Sequence, residues 1–252
     1  MLFFKRILNV GKKTSGSERR GAERYTVYPQ FPVTAVLNVA GRDSMGQVLQ
    51  SKDGTGWDWT AKLVNLSGTG ARLELPPTVE AQRDDPCHLK LDVQGYVLTL
   101  SGRIAHLGEK RDTIVYGLVL DLADPATQRA YDQLLDLVAL GSSLILSKPR
   151  KADESGFLFE RYDGVHDSHL DIWRHVESKE VSAFEFVLKD CMVRGLDGRP
   201  GVVCRKGTNA ATAKRATSAQ DEEIKRLFQW VVLNLAPAVP DDVRDFLKQH
   251  AT

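Results

Sequence analysis

Three arginines near the start of the chain have the chemistry to hold a phosphorylated ligand. Arg20 and Arg24 lie four residues apart, and Arg19 directly precedes the first of them. A guanidinium presents a planar fork of N–H donors that matches phosphate oxygens in pairs, and it also stacks on flat rings. Two arginines at this spacing on a polar arm can therefore fold over a ligand that carries both phosphates and bases.

A second group of small polar residues lies in segment 65–70, which reads Asn-Leu-Ser-Gly-Thr-Gly. Asn65 offers both a donor and an acceptor to a base edge, and Ser67 adds a small hydroxyl. Gly68 and Gly70 allow the backbone to approach an anion closely and to direct N–H groups toward it. The alternative interpretation is a tight turn without a ligand, in which case the arginines belong to a solvated basic tail.

The charge of the chain is unevenly distributed. The 252 residues carry 34 Lys and Arg against 33 Asp and Glu, yet residues 1–24 hold seven basic and two acidic residues. The total of +1 argues against a protein that coats long nucleic acid by bulk charge. A basic arm on a slightly acidic body instead suits a small polyanion. With 42% hydrophobic and 27% charged residues, the composition also excludes a disordered chain and a disulfide scaffold.

The elements that must position these residues are short strands. Residues 11–24 are polar and rich in Gly and Ser, which predicts a mobile arm. From residue 25 to 120, apolar residues alternate in about five to seven segments separated by turn residues such as Gln94-Gly95, a pattern typical of a small barrel or sandwich. After Asp124-Pro125 the apolar period becomes helical, and we expect this helix to end at Gly141 and to cover an open end of the barrel.

Taken together, the two motifs resemble the signature of the PilZ domain family, RxxxR followed by [D/N]xSxxG. Arg20 and Arg24 fill the first pattern, and Asn65, Ser67 and Gly70 fill the second. The resemblance covers roughly residues 16–140. It implies a mainly β, six-stranded barrel with a closing helix, and it implies binding of cyclic di-GMP, a bacterial second messenger. It implies no cofactor besides this ligand.

The resemblance also implies roles for the residues of the two motifs. Arg20 and Arg24 would hold phosphate and stack on guanine, facing a wall formed by the Asn-x-Ser-x-x-Gly motif. Arg19 implies a stacked pair of ligand molecules, because a basic residue at this position accompanies such pairs in the family. The predicted ligand-binding residues are Arg19, Arg20, Arg24, Asn65, Ser67, Gly68 and Gly70.

The sequence predicts a second domain after the barrel. We expect residues 1–15 to form a flexible basic arm, 16–141 the PilZ-like domain, 142–156 a charged linker, and 157–252 a small α+β domain of unassigned role. In this last segment Ser218 is a candidate N-cap for the first of two helices. The aromatic residues expected in its core are Trp173, Phe184, Phe186, Phe228 and Trp230.

The function that follows is that of a bacterial, cytoplasmic cyclic di-GMP receptor that transmits the signal through its C-terminal domain to a protein partner. Motility, biofilm or exopolysaccharide machinery would supply that partner, and long nucleic acid is not expected as one. A second hypothesis is a protein-interaction adaptor in motility or polysaccharide export, in which the PilZ-like fold is structural. A third is an enzyme in the C-terminal domain that the barrel regulates. The sequence has no nucleophile elbow, GxxxxGK[ST] or HExxH motif, so we do not expect catalysis.

Cysteine and histidine usage leaves one alternative open. Cys87, Cys191 and Cys204 are too few and too far apart for a disulfide framework or a zinc knuckle, so we expect buried thiols. His166 and His169 would share one face of a helix, which keeps a metal site in the C-terminal domain as an alternative. No apolar run approaches the roughly 18–20 residues that span a bilayer, so we expect no transmembrane segment.

Overall fold

The computed structural model of the chain describes residues 3–5, 23–39, 41–42, 48–49, 56–79, 81–152, 155–209 and 211–251. The chain divides into two units, and the main boundary falls between Leu135 and Asp136. Residues 28–31 and Phe4 belong to the second unit, although they come early in the sequence. Within the ranges described, no helix has the length and apolar character required to cross a membrane.

The first unit is an antiparallel β-barrel. Its strands are β1 (Arg24–Thr26), β2 (Val33–Val39), β3 (Gly41–Arg42), β4 (Val48–Leu49), β5 (Trp57–Ser67), β6 (Gly70–Leu75), β7 (Pro86–Val93), β8 (Tyr96–Lys110) and β9 (Thr113–Leu120), and helix α1 (Pro125–Ser142) follows. Six strands in the order β5-β2-β7-β8-β9-β6 close into a barrel, because β6 also pairs with β5. Strand β1 is an additional strand on β5, and β3 pairs with β4. The predicted six-stranded barrel with a following helix is confirmed.

Alternation of apolar and polar residues along the strands builds the barrel interior. Successive side chains of a strand point to opposite faces, so every second residue enters the core. Leu37 of β2 and Leu89 and Leu91 of β7 are fully buried in this way. The predicted turn between β7 and β8 is confirmed, since Gln94 and Gly95 both have positive φ angles, of 50° and 89°.

A side-chain cap starts helix α1, and Gly141 lies within its last turn. The Asp124 carboxylate accepts a 2.7 Å hydrogen bond from the backbone N–H of Thr127, which caps the first turn. The helix continues one residue past Gly141, so the prediction that Gly141 ends it is wrong. A Cβ at Gly141 would lie 2.7 Å from the carbonyl oxygens of Val231 and Asn234. This glycine therefore permits close approach of two backbones rather than termination.

The second unit is a single antiparallel sheet with two helices. The strands are β10 (Ile145–Ala152), β11 (Phe157–Asp163), β12 (His169–His175), β13 (Val181–Leu188), β14 (Cys191–Leu196), β15 (Arg199–Lys206) and β16 (Lys214–Arg215), and the helices are α2 (Ser218–Val232) and α3 (Asp241–His250). The strands lie side by side in chain order. The small C-terminal α+β part of the predicted fold is thus present.

Aromatic residues form the core between the sheet and its helices. The ring of Phe184 on β13 stacks on that of Phe228 on α2, with centroids 5.4 Å apart. Phe186 and Trp230 are also buried, so four of the five aromatic residues expected in the core are there. Trp173 is only half-buried and lies on the opposite face of the sheet.

Residues 142–156, which the sequence predicts as a linker, contain strand β10. This strand is an edge of the sheet and pairs only with β11, with Lys151 opposite Phe159. Every residue of β10 is exposed, so the strand needs no apolar alternation and resembles a linker in sequence. The linker prediction is therefore corrected.

The N-cap of α2 is Thr217 rather than the predicted Ser218. Thr217 accepts a hydrogen bond from the backbone N–H of Gln220, and the Gln220 side chain accepts one from the backbone N–H of Thr217. This reciprocal pair is a capping box, which satisfies two N–H groups that the helix itself cannot. Ser218 lacks this relationship because it is already the first residue of the helix.

The cysteines are buried and free, as expected. Burial raises the pKa of the Cys87, Cys191 and Cys204 thiols to about 12. A thiol of this kind is neutral at physiological pH, so it packs as a small apolar group and does not act as a nucleophile.

Candidate ligand-binding site

The turn that joins β5 to β6 has a closely packed backbone. Ser67 is buried, and its hydroxyl donates a 3.3 Å hydrogen bond to the carbonyl oxygen of Gly70. A Cβ at Gly70 would lie 2.2 Å from the carbonyl oxygen of Leu118, so a larger residue would force β6 away from β9. A Cβ at Gly68 would meet nothing within 4 Å. Packing therefore requires a glycine at position 70 but not at position 68.

Tyr131 of α1 holds the same turn. Its hydroxyl lies 2.7 Å from the carbonyl oxygen of Ser67 and 3.0 Å from that of Gly70. Burial raises the pKa of Tyr131 well above its ordinary value. The hydroxyl therefore stays protonated at neutral pH and remains a donor to the turn.

Strand β1 brings the second arginine of the first motif to this turn. Arg24 lies opposite Ser67, and Thr26 lies opposite Asn65, in antiparallel register. Side chains directly opposite each other on neighbouring strands share a face and have Cβ atoms about 5 Å apart. The pairing of β1 with β5 therefore joins two motifs that are distant in the sequence.

These residues line a cleft of about 340 Å³ in the first unit. Its lining includes the polar residues Arg24, Asn65, Ser67, Arg72 and His106, together with Gly70. The sequence prediction lacks Arg72 and His106. Arg72 lies opposite Asn65 in the β5–β6 pair. The register of these two strands is therefore the feature that could have identified Arg72 as a lining residue. His106 follows an irregularity in β8, and such bulges re-aim side chains without a clear sequence signal.

The cleft carries positive charge that no acidic residue of the described ranges neutralises. Neither Arg24 nor Arg72 forms a salt bridge with an acidic residue of the described ranges. Elsewhere in the chain, by contrast, Arg103 lies 2.5 Å from a carboxylate oxygen of Asp84. Cations without a carboxylate partner beside a concave surface attract anions. The cleft is therefore suited to a small anionic ligand.

Four of the seven predicted residues are among the described lining of this cleft. Arg19 and Arg20 lie outside the described residues, so Arg24 is the arginine of the first motif whose position is known. Gly68 belongs to the turn but is not part of the lining. Asn65, Ser67 and Gly70 are brought together with Arg24.

The alternative metal site depends on a helix that is not present. His166 lies in the turn between β11 and β12, with a φ of 56°, and His169 is the first residue of β12. The His166 Nε2 atom lies 3.2 Å from the Asp136 carboxylate. In the part of the chain that the structure describes, no three His, Cys, Asp or Glu side chains are grouped as a metal ion requires. The expected helical arrangement of the two histidines is therefore wrong.

Comparison with known families identifies the barrel. Residues 18–139 match the family model of the PilZ domain. This range includes both motifs and every described residue of the cleft lining. Residues 18–139 thus belong to the PilZ domain family.

Two solved structures are similar to this chain. The PilZ domain with c-di-GMP of YcgR from Escherichia coli is 12% identical, and the match covers 48% of this chain and 92% of that chain with a TM-score of 0.36. The Borreliella burgdorferi PlzA protein in complex with c-di-GMP is 13% identical, and the match covers 83% of this chain and 94% of that chain with a TM-score of 0.30. A comparison with curated proteins gave no match.

Proposed function

We propose that the PilZ domain is a receptor for cyclic di-GMP and that the cleft beside Arg24 is its binding site. The observation that carries this proposal is the meeting of Arg24 and Arg72, both without an acidic partner among the described residues, with Asn65 and Ser67. Cyclic di-GMP is a ring of two phosphates and two guanosines. A receptor for it must offer cations, hydrogen bonds to base edges and flat groups that stack, and this cleft supplies all three kinds.

Four residues of the cleft have assigned roles in this proposal. The Arg24 guanidinium bonds a phosphate through two N–H groups or stacks on a guanine. Asn65 donates to and accepts from a guanine edge, because its amide carries both functions. Gly70 keeps the turn close to β9, and the Ser67 hydroxyl fixes its shape.

Arg19 and Arg20 complete the site in this proposal. Arg20 is four residues before Arg24, a distance that an extended chain spans within about 14 Å. Ordering such an arm over a ligand costs conformational entropy, which charge-assisted phosphate contacts offset. The number of ligand molecules bound per chain is the direct measure of the stacked pair that Arg19 implies.

Calorimetric titration with cyclic di-GMP tests the receptor assignment. We expect saturable binding by the unaltered chain and a loss of about tenfold or more in affinity for Arg24→Ala and Asn65→Ala. Lys90→Ala is the matched control, because Lys90 is an exposed cation of β7 that does not line the cleft. Absence of binding by the unaltered chain, or equal affinity in all variants, would overturn the proposal.

The C-terminal unit is the output element in this proposal. Helix α1 supports this role, since Tyr131 bonds the ligand-binding turn within the first unit. Five residues later, Asp136 bonds Lys189 at 2.6 Å within the second unit. A ligand that favours one position of the turn can shift the population of α1 conformations, and thereby the surface offered to a protein partner.

Hydrogen–deuterium exchange with and without cyclic di-GMP tests transmission. We expect changed exchange in α1 and in the segment around Lys189, beyond the changes at the cleft itself. Changes confined to the cleft would leave the receptor assignment intact and would contradict transmission through α1.

A further inference from the structure

The two faces of the C-terminal sheet differ in what covers them. Phe184 and its in-register neighbours Ile172 and Gly195 lie on the face that α2 and α3 cover. The alternate residues form the second face, here named the aromatic face. Its charged and aromatic members are Lys148, Lys151, Phe157, Phe159, Arg161, Asp163, His169, Asp171, Trp173, His175, Glu185, Arg194, Arg199, Arg205 and Arg215.

Flat side chains of the aromatic face lie on β11 and β12, the second and third strands of the sheet. The rings of Phe159 and Trp173 lie 5.5 Å apart on neighbouring strands, and Phe157 lies 5.6 Å from His175. The central guanidinium carbon of Arg161 is 6.0 Å from the Phe159 ring centroid, and the same guanidinium forms a two-point ion pair with Asp171, so its charge is neutralised on this face. The two phenylalanines and the tryptophan are half-buried and His175 is exposed, so parts of these groups reach solvent.

Basic side chains outnumber acidic ones on the aromatic face. Residues 136–252 carry 17 basic and 18 acidic side chains, so the C-terminal part as a whole is nearly neutral. The strand residues of the aromatic face, however, include seven basic and only three acidic side chains. Lys148 and Lys151 lie on β10, next to the strand that carries Phe159, whereas Arg194 and Arg215 lie on β14 and β16, two and four strands from β12. All four side chains are exposed.

We propose that the aromatic face binds single-stranded nucleic acid. Unpaired bases stack on aromatic side chains of a sheet, and flanking Lys and Arg side chains bind the phosphates. Charge alone would fit an acidic protein segment as well. The adjacent rings on β11 and β12 favour nucleic acid, because bases offer flat faces whereas acidic side chains do not. A duplex keeps its base faces stacked inside, so this surface selects single strands.

Fluorescence anisotropy with labelled 12-nucleotide oligo(rU) and oligo(dT) and a duplex of equal length tests this proposal on the 252-residue chain. We expect tighter binding of the single strands than of the duplex. Phe159→Leu and Trp173→Leu should each weaken binding by about five- to a hundredfold. If about four phosphates are neutralised, log affinity should fall with log salt with a slope of about −2.8.

A matched pair on β16 separates the aromatic face from general charge. Arg215 lies on this face and Lys214 on the other, and both are exposed. Arg215→Gln, alone or with Arg194→Gln, should weaken binding, and Lys214→Gln should not. Circular dichroism confirms that each variant is folded.

Four results would overturn the proposal: no binding of single strands; unchanged binding by folded Phe159→Leu and Trp173→Leu; displacement by polyglutamate as effective as by unlabelled oligonucleotide; or loss of binding in Arg19→Gln and Arg20→Gln but not in the aromatic-face variants. The third result would assign the face to an acidic protein, and the fourth would assign binding to the N-terminal arm.

Discussion

At the scale of single residues, Tyr131 links the turn between β5 and β6 to helix α1. Its one hydroxyl faces two carbonyl oxygens of the turn, those of Ser67 and Gly70, and both contacts are buried. A buried carbonyl that loses its donor costs free energy, because water cannot replace the donor. The shape of the turn, and with it the position of Asn65, therefore depends on this hydroxyl.

Tyr131→Phe should lower the free energy of unfolding by about 1–2 kcal/mol and weaken cyclic di-GMP binding by about fivefold. Tyr116→Phe is the control, since the Tyr116 hydroxyl donates a 2.7 Å bond to the Val79 carbonyl and does not line the cleft. It should lose comparable stability and keep its affinity. Thermal unfolding and calorimetric titration measure the two effects, and unchanged affinity in Tyr131→Phe would contradict the role of the turn.

Individual residues also show which part of the site the sequence could predict. Asn65, Ser67 and Gly70 belong to one contiguous motif, so sequence alone brings them together, and the structure places Arg24 beside them. Arg72 and His106 could not be predicted in the same way. Their place at the cleft depends on the β5–β6 register and on a strand irregularity, which are tertiary features without a local sequence pattern.

At the scale of elements, apolar alternation in the sequence predicted the strands that bury one apolar face. It did not predict strands whose buried residues include ion pairs. Strand β7 of the barrel, for example, alternates between buried residues and exposed or half-buried ones. Strand β11 carries Glu160, which is buried against Arg174 of β12 with a 2.9 Å contact. Charged residues in the core interrupt the apolar alternation, so sequence patterning did not identify β11 and β12.

The same ion pair anchors helix α3. Arg174 is 1% exposed and also bonds Asp242 in the first turn of α3. The hydrogen bond from Arg174 holds the pKa of Asp242 below its usual value. A carboxylate with a lowered pKa in the folded state stabilises that state above the pKa of the unfolded chain. This stabilisation disappears as the pH falls through the lowered value.

Asp242→Asn should lower the free energy of unfolding at pH 7 by about 1–2 kcal/mol, and the difference from the unaltered chain should shrink as the pH falls below about 4. Asp241→Asn is the control: Asp241 lies in the same first turn, but its side chain is 92% exposed. Asp241→Asn should change the free energy of unfolding little, both at pH 7 and below about pH 4. Denaturant unfolding at the two pH values measures both, and a pH-independent difference for Asp242→Asn would contradict the assigned ion pair.

At the scale of the whole molecule, two local excesses of positive charge are not visible in the net charge. The chain total is +1, yet residues 1–24 hold seven basic and two acidic residues. The aromatic face repeats the pattern within a C-terminal part of 17 basic and 18 acidic residues. Strand register decides which charges share a face, and composition contains no such information. This explains why the basic N-terminal segment was predictable from sequence and the aromatic face was not.

The binding of cyclic di-GMP in the cleft is tested most directly by amide NMR of the isotope-labelled 252-residue chain during titration with the ligand. The expected result is saturable shifts at Arg24, at residues 65–72 and at His106, with Lys90 unchanged. Saturable shifts confined to residues outside the cleft, or no shifts at millimolar ligand, would contradict the assignment of this site.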